Sequence, residues 1–159
     1  MIDDNDREFM MRAIDLAREG VDHDLGGPFG CVIVKDGRIV GEGCNQVTST
    51  NDPTAHAEIV AIREACRELN SFQLDGCTIY TSCEPCPMCL GAIYWARPAK
   101  LFVAASRDDA AAAGFDDEFL YTEFERPNEQ RQLRMEPLLR EESQAVFKLW
   151  IEKPDKIEY

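Results

Sequence analysis

No apolar run in this chain of 159 residues approaches the ~20 residues that a membrane-spanning helix needs. The opening segment, Met1-Ile2-Asp3-Asp4-Asn5-Asp6, lacks the basic and apolar regions of a secretory signal, so we expect a cytoplasmic protein. Basic side chains are scarce: 17 Lys and Arg stand against 30 Asp and Glu, a formal net charge of −13 with a pI near 4.5. A surface this acidic repels polyphosphate, whereas proteins that grip nucleic acid carry basic patches that release counterions. A large RNA or DNA substrate is therefore disfavoured, and a small uncharged molecule fits better. Internal repeats, low-complexity tracts and linkers are also lacking, so residues 1–159 are expected to form a single domain. Hydrophobic residues make up 45% and charged residues 30%, a globular composition with enough apolar material for a core.

The seven cysteines are an odd number and cannot pair completely. In a chain without a secretory signal they are more naturally thiols and metal ligands than disulfides. Cys44, Cys66 and Cys77 are expected to pack as small hydrophobes.

Hydrophobic periodicity predicts a helix from Asp6 to about Gly20. Two β-branched runs, Phe29 to Lys35 and Arg38 to Asn45, flank Asp36-Gly37 and predict a hairpin. Asp52-Pro53 reads as an N-cap followed by Pro at the first helical position, opening a helix to about Leu69. A strand at Thr78 to Ser82 leads into a second helix, roughly Pro87 to Ala96, and then a strand at Lys100 to Ala105. Further on, the pattern predicts a short Ala-rich helical turn capped by Asp108, with a stop at Gly114. Helices at Asp116 to Phe124 and Glu141 to Glu152 follow, with a strand at Arg131 to Pro137 between them. Strands alternating with helices after an opening hairpin argue for a three-layer α/β/α domain with a mixed sheet of about five strands.

The chemistry is concentrated in two segments, Thr54-Ala55-His56-Ala57-Glu58 and Pro85-Cys86-Pro87-Met88-Cys89. They supply an imidazole, two thiols and a carboxylate. Two thiolates and a neutral imidazole neutralise Zn²⁺ and leave its fourth position open for water, whose pKa falls toward ~7. Both segments sit where helices begin, and the positive ends of those helices favour thiolates. His56 and Glu58 are two residues apart, roughly 200° around an ideal helix. They converge on a metal only if it lies near the end of the helix, which leaves Glu58 free to move protons. Cys83 is the competing ligand: Cys83-x-x-Cys86-x-x-Cys89 is a doubled CxxC, which a closed structural Cys₃His site would use. The run also suggests an iron–sulfur cluster, but the fourth Cys and its following Pro are missing. Cys83 ends a predicted strand while Cys86 and Cys89 begin a helix, which favours the latter pair.

These segments match the H-x-E…P-C-x-x-C pattern of zinc deaminases. Over nearly its whole length the chain resembles the bacterial guanine deaminases of the cytidine-deaminase-like superfamily. The resemblance is carried by Gly26-Gly27-Pro28-Phe29-Gly30, by residues 49–58 and 80–98, by Ala113-Gly114-Phe115-Asp116-Asp117, and by the closing Glu158-Tyr159. The zinc segments define only the superfamily; the Gly-Phe-Asp-Asp segment and the terminal Tyr point to guanine. The resemblance implies His56, Cys86 and Cys89 as ligands of one Zn²⁺ and Glu58 as the catalytic proton shuttle. Around the base it implies Asn45, Phe29, Trp95, Asp117 and Tyr159.

Each role has a physical basis. The N1–H and 2-amino group of guanine form a donor edge that a carboxylate such as Asp117 can accept. Asn45 can donate and accept toward the other polar atoms of the ring, and Phe29 and Trp95 can stack on its faces. The bland alternatives are core packing for Phe29 and Trp95, helix-start acids for Asp116 and Asp117, and a frayed end for Tyr159. An ordered role for Tyr159 is what the family supplies by exchanging a C-terminal segment, here about 125–159, between the subunits of a homodimer. Cys31 stands where the family pattern has Ala, and residues 125–144 match poorly.

The expected activity is therefore zinc-dependent hydrolytic deamination of guanine to xanthine and ammonia. Guanosine deaminase and, less favoured by the acidity, tRNA adenosine deaminase share the zinc segments. A zinc-stabilised interaction domain is the non-enzymatic reading; it has no use for Glu58 and calls for a fourth protein ligand such as Cys83.

Overall fold

The computed structural model describes residues 2–159. A first compact unit ends at Asp117, and a second runs Glu118–Tyr159.

The first unit opens with helix α1, Asp4–Asp22, whose N-cap Asp3 and Asp6 form a reciprocal capping box. Strands β1 (Gly30–Lys35) and β2 (Arg38–Cys44) follow as an antiparallel hairpin. Asp36 and Gly37 both lie at positive φ, 50° and 74°, as the tight hairpin turn requires. After a single turn of helix α2 (Val47–Thr50) come α3 (Ala57–Glu68), β3 (Thr78–Cys83), α4 (Pro87–Ala96), β4 (Lys100–Ala105) and α5 (Arg107–Ala112). The sheet order is β2-β1-β3-β4, with β3 antiparallel to β1 and parallel to β4.

Alternation along β1 divides the core between the two faces of this mixed sheet. Val32 and Val34 join Ala13 and Leu16 of α1 and Tyr80 of β3. Cys31 and Ile33 turn the other way, onto Ala57, Ala61 and Ala65 of α3 and Ile93 of α4. Helices thus cover both faces. Helix α3 comes unusually close to β2: a Cβ on Gly43 would stand 2.3 Å from the Ala57 carbonyl oxygen. That approach brings the N-terminus of α3, with His56 and Glu58, down onto the sheet.

The second unit contains α6 (Glu118–Glu125), one 3-10 turn (Asn128–Gln130) and α7 (Arg140–Glu152). None of its residues is buried, although α7 carries Val146, Phe147, Leu149, Trp150 and Ile151.

Three details differ from the sequence expectations. The described sheet has four strands rather than about five, because residues 131–137 form no ladder. The Asn128 side chain takes both backbone groups of Met135, accepting from its N–H at 2.8 Å and donating to its carbonyl at 3.0 Å. Glu123 likewise takes the N–H of Gln132. Asp52-Pro53 forms a turn, not a helix start: Asp52 Oδ1 accepts from the N–H and hydroxyl of Thr54 at 2.8 and 2.7 Å. The helix begins four residues after Pro53, at Ala57, with His56 as N-cap. The cap of α5 is Ser106, paired reciprocally with Asp109, rather than Asp108.

Candidate active site

Two N-cap residues create the centre. His56 caps α3 and Cys86 caps α4, both with extended backbone and neither using its side chain to cap its own helix. Their side chains are thereby released to face one another across the two helix starts. Pro87, at the first position of α4, fixes the helical φ there at no hydrogen-bond cost. Cys89 lies one turn further on and is fully buried.

The Nδ1 atom of His56 stands 3.5 Å from Cys86 Sγ and 3.5 Å from Cys89 Sγ, and the three ligand atoms lie within 4.8 Å of one another. A tetrahedral Zn²⁺ with ordinary bonds to sulfur and nitrogen separates such atoms by about 3.6 Å. The two nitrogen–sulfur edges of the triangle therefore have the lengths of a zinc site. Among the described residues this is the one such group of metal-ligating side chains. Cys83 is not in it; its thiol donates to the carbonyl of Ser106 at 3.4 Å. That contact disfavours both a closed Cys₃His site and an iron–sulfur cluster.

The electrostatics suit a cation. Cys86 is pulled down to about 4, first by the hydrogen bond from the Cys89 thiol and then by His56. Cys89 is pushed far up by that same contact with Cys86 and by burial. One negative charge is thus shared by two sulfurs, and a metal that displaces the remaining proton resolves the conflict.

Glu58 is 6% exposed, and burial raises its carboxyl above the ordinary range. Its own backbone N–H and the Cys89 thiol partly oppose the shift. A carboxyl poised this way, next to the ligand triangle but outside it, is fitted to take and return protons.

Asp117 immediately precedes α6. Its carboxyl is raised, first by burial and then by the negative charge of Cys86, which places it within electrostatic reach of the centre. Asn45 is buried at the end of β2. Its Oδ1 accepts from the N–H groups of both Gly27 and Val47, each at 3.2 Å. With Oδ1 accepting twice, Nδ2 is the polar group the amide has left. Phe29 bonds the Asn45 N–H through its carbonyl at 3.0 Å. Its ring meets Phe115 edge-to-face, with centroids 5.0 Å apart.

Trp95 and Tyr159 are both exposed. Trp95 is 64% exposed on α4, about 9 Å of helix beyond Cys89. Tyr159 is 71% exposed at the end of the second unit. Two residues at the site received no role from the sequence, Gly27 and Phe115. Both depend on contacts between distant segments, which no periodicity signals.

The model of the cytidine and deoxycytidylate deaminase zinc-binding region matches residues 3–105. The chain belongs to this family. Zinc is its cofactor, and His56, Cys86 and Cys89 are the residues of this chain that fit it. Guanine deaminase of Bacillus subtilis (strain 168) is 56% identical over 155 residues, 98% of this chain and 99% of that one. The crystal structure of guanine deaminase from Bacillus subtilis superposes with a TM-score of 0.93, covering 96% of this chain and 98% of that one. A tRNA-specific adenosine deaminase of Aquifex aeolicus (strain VF5) is 47% identical over 78 residues, 49% of this chain and 52% of that one. No described helix is long and apolar enough to cross a membrane.

Proposed function

We propose that the chain hydrolytically deaminates guanine to xanthine and ammonia, as a zinc-dependent hydrolase acting on C–N bonds of cyclic amidines. The observation that carries the choice of base is Asp117, a carboxyl raised by burial and then by the negative charge of Cys86. It lies beyond residue 105, where the family-wide zinc region ends, in a stretch shared with a guanine deaminase matched over nearly its full length.

Zn²⁺ held by His56, Cys86 and Cys89 supplies a Lewis acid that makes water nucleophilic at neutral pH. Glu58 takes one proton from that water and gives it to the ring nitrogen beside the target carbon. It then takes the second proton, left on the added hydroxyl, and gives it to the departing amine as the C–N bond breaks. Its burial keeps solvent from competing for the proton. Asp117 accepts from the donor edge of guanine, and Asn45 Nδ2 donates to an acceptor on the ring. Phe29 and Trp95 offer aromatic faces to the purine.

The protein acts as a cytoplasmic homodimer in which about residues 125–159 are exchanged, so that Tyr159 reaches the neighbour's site. The apolar side chains of α7 support this reading: Phe147 is 67% and Trp150 40% exposed in the single chain, a surface that a second copy would cover. Nucleic acid is not a partner, in keeping with the net charge of −13.

The test is turnover of guanine, guanosine, adenine and cytosine measured side by side with zinc-loaded protein. Guanine is expected to be the preferred substrate; equal or better turnover of guanosine would move the assignment to the nucleoside.

A further inference from the structure

The loop Gly26-Gly27-Pro28-Phe29 touches Asn45, one of the polar groups assigned to the substrate in this reading, and the ring of Phe115, two residues before the other, Asp117. The Gly27 N–H donates to Asn45 Oδ1 at 3.2 Å. On the other side of the same residue, a Cβ would meet Phe115 Cε1 and Phe29 Cε2, each at 3.1 Å, and Phe115 Cζ at 3.2 Å. That is tighter than ordinary side-chain contact, so the rings would have to shift. The ring of Phe115 occupies the space that a side chain at position 27 would need.

Phe115 is itself held from behind. Gly114, at φ 93°, reverses the chain after α5, and the Phe115 N–H returns to the Ala110 carbonyl at 2.9 Å. Asp117 lies two residues further along this anchored segment. The Phe115 backbone and ring are thus both held, two residues before Asp117.

We propose that Gly27 and Phe115 are positioning residues that set base specificity: the Gly27 amide holds Asn45 by its Oδ1, leaving Nδ2 to donate, and the slot left by the missing Gly27 side chain seats Phe115 and hence Asp117. One loop residue thereby fixes a donor and an acceptor relative to each other, which matches a heterocycle that presents both an acceptor and a donor edge. The inference rests on Asn45 and Asp117 being base contacts. It adds that their relative placement is set by two residues that need not touch the substrate.

A substitution at Gly27 should displace the ring rather than unfold the protein. Phe29 and Phe115 border a cavity of about 360 Å³, which gives the ring room to move. By contrast, a Cβ on the neighbouring Gly26 would meet the Asn45 backbone carbonyl oxygen at 2.6 Å, which cannot yield in that way.

The test is a double-mutant cycle of Gly27→Ala and Phe115→Leu on zinc-loaded protein, with Asn45→Ala and Asp117→Asn alongside. Gly27→Ala is expected to raise KM for guanine about tenfold, with kcat within about twofold and zinc content unchanged. In the Phe115→Leu background two of the three ring atoms in the way are gone and only Phe29 Cε2 remains, so the same substitution should add clearly less than in the parent, about threefold or under. Effects of Gly27→Ala and Phe115→Leu that multiply independently, or a Gly27→Ala KM equal to that of the parent, overturn the slot. If Asn45→Ala and Asp117→Asn both leave KM unchanged, the base-contact reading fails and takes this inference with it. If only those two raise KM, the reading stands and the positioning role falls. Should Gly27→Ala not fold, Phe115→Leu alone decides: the slot predicts a raised KM with zinc retained, and an unchanged KM refutes it.

Discussion

At the scale of single residues, the centre separates holding a metal from moving a proton. His56 and Cys86 are free to bind because each begins a helix without capping it, and Cys89 follows one turn later. Cys83 has the same chemistry and nearly the same sequence position, yet its thiol is committed to the Ser106 carbonyl. Cys83→Ser is accordingly expected to retain a full equivalent of zinc, measured by metal analysis of the purified protein. Loss of about half or more of the metal would make Cys83 a ligand and favour a closed structural site. Asp117→Asn belongs to the same scale. It keeps the size of the side chain but replaces one acceptor by a donor, so KM for guanine should rise at least about tenfold while zinc content holds. A KM equal to the parent's would remove Asp117 from recognition.

At the scale of elements, α1 is tied to the sheet through Tyr80 of β3, whose hydroxyl donates to Asp6 at 2.6 Å. The ring is stacked on Phe102, with centroids 5.2 Å apart. The Tyr80 hydroxyl, and then the Asp3 N–H, hold Asp6 below its usual 3.8. This part of the stability is present above that value and is lost as pH falls through the depressed folded pKa. Tyr80 is displaced in the opposite direction, raised above its usual 10.0 by burial and by Asp6. Its part is present below 10.0 and is lost as pH rises through the raised value. Tyr80→Phe should therefore lower Tm by a few degrees near neutrality. The difference from the parent should shrink at both pH extremes in thermal melts; a difference independent of pH would discount the bond.

These elements were also unequally legible in the sequence. The β1–β2 hairpin, β4 and α4 follow from local alternation and turn chemistry and lie where the pattern put them. The start of α3 does not, because Asp52-Pro53-Thr54 satisfies its own polar groups in a turn and leaves the cap to His56. The strand expected at 131–137 fails because side chains of Asn128 and Glu123 take the backbone groups a ladder needs. Spacing sufficed to find the metal ligands, since three residue types in a fixed pattern carry the chemistry. Gly27 and Phe115 lie in segments that carry the family resemblance, but their contact stayed hidden because it joins segments almost ninety residues apart.

At the scale of the whole molecule, the acidic surface and the exposed apolar face of α7 both bear on partners. If about residues 125–159 are exchanged, each site draws Glu58 from one chain and Tyr159 from the other. Mixing inactive Glu58→Gln subunits with subunits truncated before Tyr159, after unfolding and refolding together, should then restore about one quarter of the parent activity, because half of the dimers are mixed and each has one intact site. No recovery above the two parents would place Tyr159 and Glu58 of each site on the same chain or deny Tyr159 a role.

The central claim is that this zinc-dependent deaminase uses Glu58 to move the protons of guanine hydrolysis. It is tested most directly by measuring xanthine and ammonia released from guanine by zinc-loaded parent and Glu58→Gln proteins of equal zinc content. The account predicts one ammonia per xanthine from the parent and a rate lower by about 10²–10⁴-fold in the variant. Equal rates in the two proteins, or no xanthine from the zinc-loaded parent, would contradict it.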